Sequence, residues 1–144
     1  MKLATHARRA SPRPVRLLCA LASCLALAAP SWAATPAELL AGYKAEARST
    51  PSPERGEKFF NTDFKRDMGW TCSSCHGRDP TQQGKDDVSG KKIKALAPGA
   101  NPARFTDRRT VENAFRLNCN DVVGRECTAA EKADVLAWLI SLKP

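Results

Sequence analysis

Apolar positions at helical spacing recur through the chain from residue 35 onward, and they predict four helices. In the first, Thr35-Pro36-Ala37-Glu38 supplies an N-cap, a proline at the first helical position and an acid in the first turn. Leu39, Leu40 and Tyr43 form its apolar side. Ser49-Thr50-Pro51-Ser52-Pro53 breaks it, because the residue before each proline is pushed out of the helical region. A second helix is expected from Pro53 to about Asn61, turning Phe59, Phe60 and Phe64 inward and leading into Trp70. Thr106 or Asp107 caps a third, with Val111, Ala114 and Phe115 at i, i+3 and i+4 and an end near Asn118. The fourth opens on Thr128-Ala129-Ala130-Glu131, a capping box. Val135, Leu136, Leu139, Ile140 and Leu142 give it one wide apolar face. No strand alternation and no repeat is visible. The expectation is one all-α domain.

The first 33 of the 144 residues follow a different pattern. Lys2, Arg8, Arg9, Arg13 and Arg16 precede an almost unbroken apolar run from Val15 to Ala29. Ser31-Trp32-Ala33 then puts small residues where cleavage before Ala34 needs them. This is the layout of a secretory signal peptide. The run is short of the ~20 residues that a membrane span requires. The expected division is therefore a cleaved segment 1–33 and a single domain 34–144, exported to the periplasm. Five of the 23 basic residues and none of the 15 acidic ones lie in 1–33. The formal charge of +8 thus falls to +3 for residues 34–144, which carry 18 basic and 15 acidic groups. No basic tract interleaved with aromatics appears, so nothing points to nucleic acid.

Cys19 and Cys24 leave with the signal, and four cysteines remain. Cys72-Ser73-Ser74-Cys75-His76 is a C-x-x-C-H run, which in an exported chain reads as the attachment site of one covalent haem c. Cys72 and Cys75 would add to the vinyl groups, and His76 would become the proximal ligand of the iron. Cys119 and Cys127, eight positions apart in an oxidising compartment, are most simply a disulfide. Zinc is a weaker reading, since structural sites usually pair a second ligand knuckle with the first. A thioredoxin-like site would want a βαβ pattern, which is absent.

If haem is the core, the other segments cover it. Phe59, Phe60, Trp70, Phe105, Phe115 and Trp138 are the candidates for its pocket. Residues 78–102 read as a long loop with one apolar clasp, Ile93, Leu96 and Ala97. A loop of that length is uncommon without a function. Lys91, Lys92, Lys94 and Arg104 are candidates to meet the propionates, Arg104 beside Phe105 foremost.

The far side of the iron is the open question. A simple electron carrier closes it with a methionine well downstream of the haem motif. Here Met68 precedes the motif, and no second histidine follows residue 33. Asn118 falls at i+7 on the apolar face of the third helix, where an unpartnered amide costs roughly 1–3 kcal/mol. Two roles fit it equally on spacing alone: a helix C-cap, or a carbonyl oxygen ligand.

Several stretches are similar to the SHP family (sphaeroides haem protein), class I-like monohaem cytochromes c. They are Arg116-Leu117-Asn118-Cys119-Asn120, Gly124-Arg125-Glu126-Cys127-Thr128, and Glu131-Lys132-Ala133-Asp134 through Ala137-Trp138-Leu139. Lys92-Ile93, Leu96-Ala97-Pro98, Arg104-Phe105-Thr106-Asp107 and Leu39 to Tyr43 match as well. The resemblance implies a class I cytochrome c-like fold and a high-spin ferric iron held by His76 and Asn118. It implies that Asn118 leaves the reduced iron, opening a site for O2, NO or CO. It also implies electron supply from a dihaem cytochrome c and a membrane cytochrome b. Two other readings stand beside it: a low-spin electron shuttle closed by Met68 or a lysine, and a reductase fed by a partner cytochrome.

Overall fold

The computed structural model describes residues 34–64 and 69–144. The expected signal segment and Met68 lie outside the described residues. Five helices and one minimal hairpin follow in order: α1 Pro36–Ala47, α2 Pro53–Phe60, α3 Cys72–His76, β1 Gly84–Lys85, β2 Lys92–Ile93, α4 Arg108–Val122 and α5 Ala129–Ser141.

Local chemistry starts each long helix. Thr35 and Glu38 close a reciprocal capping box on α1, as do Thr128 and Glu131 on α5. Ser52 caps α2 and Asp107 caps α4 through their side-chain oxygens. Arg48 in the left-handed region ends α1.

The core forms where α1 and α2 pack on α5. Leu39, Tyr43, Phe60, Leu136 and Leu139 are essentially inaccessible there. Gly56 is the point of closest approach. A Cβ at that position would run into the Asp134 carbonyl oxygen, so only glycine lets the two backbones meet. Asp134 itself is a charge inside the apolar side of α5, 7% exposed. It is satisfied from three directions. The Ser52 amide donates to it at 2.7 Å, and the Arg55 guanidinium donates twice, at 2.7 and 2.8 Å. Arg55 also donates to the Thr50 carbonyl, tying the Pro51–Pro53 turn into the same junction.

Two expectations are corrected. The third predicted helix does not stop at Asn118; α4 runs to Val122. Asn118, Asn120 and Asp121 are weak helix formers, but Cys119 and Val122 are buried and hold the last turn. The Val123 and Gly124 amides then close on the Cys119 carbonyl, with Gly124 at φ +82°. The segment 78–102 is not entirely loop. β1 and β2 pair antiparallel, Gly84 opposite Ile93 and Lys85 opposite Lys92. The rest of the clasp is as expected: Ala97 is fully buried, and the Leu96 and Ala97 amides both donate to the Pro80 carbonyl.

Candidate functional site: a haem-sized cavity

The Cys72–His76 run is itself a short helix. Thr71 caps it and its amide is met in return by Ser74. One helical turn places Cys72, Cys75 and His76 on one side, at i, i+3 and i+4. Gly84 of β1 seats against the Cys75 carbonyl, an approach that a Cβ would block. The Asp87 amide lies 3.4 Å from the Cys75 sulfur.

This turn forms one wall of a cavity of about 480 Å³. Phe59, Phe60, Trp70, Leu96, Arg104 and Phe105 continue the lining. α4 contributes Thr110, Val111, Ala114, Phe115 and Asn118, then Cys119, Asp121 and Val122. Val135 and Leu139 of α5 complete the lining. Phe105 takes a positive φ of 58°, a strained conformation for a phenylalanine, to put its ring there.

Electrostatics suit a neutral, apolar cofactor edge with a nitrogen ligand. Burial holds the His76 imidazole below its ordinary pKa, reinforced by the positive charge of Arg104, so it is neutral and free to ligate. Its Nδ1 is buried without a hydrogen-bond partner among the described residues. Burial likewise pushes the Cys72 thiol up to about 11. Cys72 and Cys75 are both unbridged. Two free thiols, an unpartnered buried imidazole nitrogen and an apolar void beside them fit a covalent haem. Among the described residues no cluster of three or more His, Cys, Asp or Glu side chains could hold a bare metal ion.

Most of the expected pocket residues meet here, with one exception. Trp138 does not line the cavity; it stacks behind Phe60, ring centroids 5.0 Å apart, and supports that ring from the core. Lys91, Lys92 and Lys94 also lie off the cavity, fully on the surface. Arg104 reaches the lining, but its Nε and one terminal nitrogen donate to the Ala95 and Lys94 carbonyls, so it also braces the loop. Asn118 lies inside α4, which removes the C-cap role, and shares the cavity stripe with Val111, Ala114 and Phe115. Cys119 and Cys127 are joined by a disulfide. A bidentate Arg125–Glu131 pair ties the bridged loop to the start of α5. Val122 and Asp121 were missed, although continuing the α4 period by one turn past Asn118 reaches both.

A family model described as a domain of unknown function, DUF1924, matches residues 46–139. The chain is 48% identical over 108 residues to cytochrome c-type protein SHP of Cereibacter sphaeroides, covering 73% of this chain and 82% of that one. The chain belongs to the SHP family of c-type cytochromes. Its fold is that of oxidized SHP, described as an oxygen-binding cytochrome c: the TM-score is 0.68 at 47% identity, covering 75% of this chain and 97% of that one. Oxidized cytochrome c'' from Methylophilus methylotrophus superposes with a TM-score of 0.71 at 38% identity, covering 76% and 95%. The architecture is thus the all-α, cytochrome c-like one, and the cofactor of this SHP-family chain is haem c. No helix among the described residues is long and apolar enough to cross a membrane.

Proposed function

We propose that this SHP-family chain is an exported, periplasmic electron-transfer cytochrome whose iron has a displaceable sixth ligand. Cys72 and Cys75 carry the haem as thioethers, His76 is the proximal ligand and Asn118 the distal one. The observation that carries this reading is the α4 face of the cavity. There Asn118 shares the stripe with Val111, Ala114 and Phe115, and it is the one amide side chain among the described residues that line the cavity.

When bound, the haem supplies a one-electron couple and a coordination site for small diatomics. The chain's own residues set the terms of that chemistry. His76, neutral by burial, offers a nitrogen ligand without first losing a proton. Phe59, Phe60, Phe105 and Phe115 exclude water from the cavity. The Asn118 carbonyl oxygen is a hard, neutral and therefore weak ligand that suits ferric iron better than ferrous. A reduced haem iron would hold this amide weakly, and the haem would then supply a place for O2, NO or CO. The disulfide begins at the very next residue, so the backbone that carries the amide is anchored. Electrons come, on this reading, from a dihaem cytochrome c and a membrane cytochrome b.

Asn118→Ala tests the assignment. The holoprotein is expected to change its ferric absorption spectrum and spin state while still binding CO when reduced. A variant whose ferric spectrum matches the parent, or a parent that is low-spin and inert to CO, removes Asn118 from the iron.

A further inference from the structure

The net charge of residues 34–144 is confined to one segment. Residues 78–104 hold six basic groups (Arg78, Lys85, Lys91, Lys92, Lys94 and Arg104) against three acids (Asp79, Asp86 and Asp87), a balance of +3. The remainder of 34–144 holds twelve of each sign. Of that charge, +2 sits on the β1–β2 hairpin and Lys94 just after it, where four lysines face Asp86 and Asp87, and Arg104 supplies the rest. Lys85, Lys91, Lys92 and Lys94 are all exposed. Among the described residues none of the four enters a salt bridge, whereas Lys132 on α5 is paired with Glu112 at 2.7 Å.

The arrangement costs the fold something. In the two-residue ladder Lys85 stands directly opposite Lys92, and like charges across an antiparallel pair are destabilising. The hairpin's two acids offset this in part: Asp87 is exposed on the tip and Asp86 feels the Lys91 charge. Asp86 is turned inward, its carboxylate accepting from the Val88 and Ser89 amides and the Ser89 hydroxyl. Between the strands, Val88 is 77% exposed, the most exposed large hydrophobic described. The same tip forms the mouth of the haem cavity. Asp86, Asp87 and Val88 line it, and the Asp87 amide touches the Cys75 sulfur. Four exposed lysines and an exposed apolar residue thus face solvent on the hairpin whose tip meets the Cys75 sulfur.

We propose that the β1–β2 hairpin is the docking surface for the electron-donating protein, and that it takes an acidic face of that partner. The inference rests on the electron-transfer reading above. Lys85, Lys91, Lys92 and Lys94 steer the acidic face from a distance, and Val88 makes the apolar contact once it arrives. Electrostatic steering of this kind speeds encounter and fades as salt screens it. Docking here brings the partner to the Cys75 edge of the haem, away from Asn118, so a diatomic bound on the α4 side and a protein at the hairpin do not compete for space.

Isotope-labelled haem-loaded protein titrated with poly-L-glutamate at low ionic strength tests this by amide NMR. Shifts should concentrate on 85–94 and vanish above about 0.3 M salt, where the screening length is only several ångströms. The K91E/K92E/K94E variant should bind about tenfold or more weakly, while the charge-matched K44E/K58E/K143E variant stays within about twofold of the parent. Equal weakening in both variants, or shifts centred away from the hairpin, overturns the docking surface. Reduction by dithionite and reoxidation by ferricyanide are followed in the same samples. A haem that cycles normally while polyglutamate binds elsewhere defeats the hairpin alone; a haem that cannot cycle defeats the electron-transfer reading beneath it.

Discussion

Where α2 crosses α5, backbone meets backbone at Gly56, and Asp134 is clamped by Ser52 and Arg55 on either side of the junction. Where α4 faces the same core, a cavity of about 480 Å³ intervenes. α4 is held from its edges instead. Phe115 meets Tyr43 edge-on at 6.1 Å, Glu112 pairs with Lys132, and the Cys119–Cys127 bridge anchors its last turn. The first region is stabilised by protein packing on protein. The second depends on what fills the cavity. A domain of this size can divide the work in this way because one crossing sets the position of the helices, leaving the other wall free to answer to the cofactor.

The largest break of this comparison is at the crossing. Gly56→Val should cost roughly 4 kcal/mol or more, because the new side chain displaces α5 backbone rather than a flexible neighbour. Urea unfolding of the holoprotein measures it. A loss under about 1 kcal/mol would mean that the helices slide apart easily and that the crossing is not the rigid half.

Removing the cofactor probes the other half. In Cys72→Ala/Cys75→Ala protein without haem, amide protection on α4 should fall about a hundredfold, near 3 kcal/mol, while α2 and α5 lose much less. Hydrogen exchange residue by residue reads the difference. Equal losses on α4 and α5 would erase the distinction between the two walls.

The smallest effect sharpens the link between them. Glu131 caps α5 and receives Arg125 from the disulfide loop, and these hydrogen bonds hold its carboxyl below the usual range against the opposing effect of burial. Its folded pKa is below its unfolded one, so its stabilisation is complete above the unfolded value of about 4.3 and lost as pH falls through the folded value. Glu131→Gln should therefore cost about 1 kcal/mol at neutral pH, and the gap to the parent should close in acid below about pH 4. Thermal melts across pH 3–7 test the sign; a gap that widens in acid would contradict it.

Much of the scaffold was legible because it is written locally. Thr35 ahead of Pro36 and Thr128 with Glu131 announce helix starts through contacts three residues long or less, and the structure has both. The C-x-x-C-H turn is similarly local, and so were most of the aromatics around the cavity. Asp134 was not legible. On spacing it is a polar residue beside the apolar face, and only Ser52 and Arg55, about eighty positions away, make its burial tolerable. The end of α4 was misread for the same kind of reason. Asn118, Asn120 and Asp121 argue for stopping, and the disulfide and the buried Val122 override them.

The sequence by itself therefore determined most of the helices and the haem-binding turn, and it left two roles open for Asn118. Those depend on neighbours a turn apart, whose geometry the chain imposes wherever it lies. Tertiary structure alone decided that Asn118 sits inside a helix on the cavity wall, that Trp138 supports Phe60 rather than touching the cavity, and that Lys85 and Lys92 face each other on a hairpin whose tip reaches the Cys75 sulfur. Each of those facts joins residues distant in sequence, and distance along the chain carries no information about proximity until the core has packed.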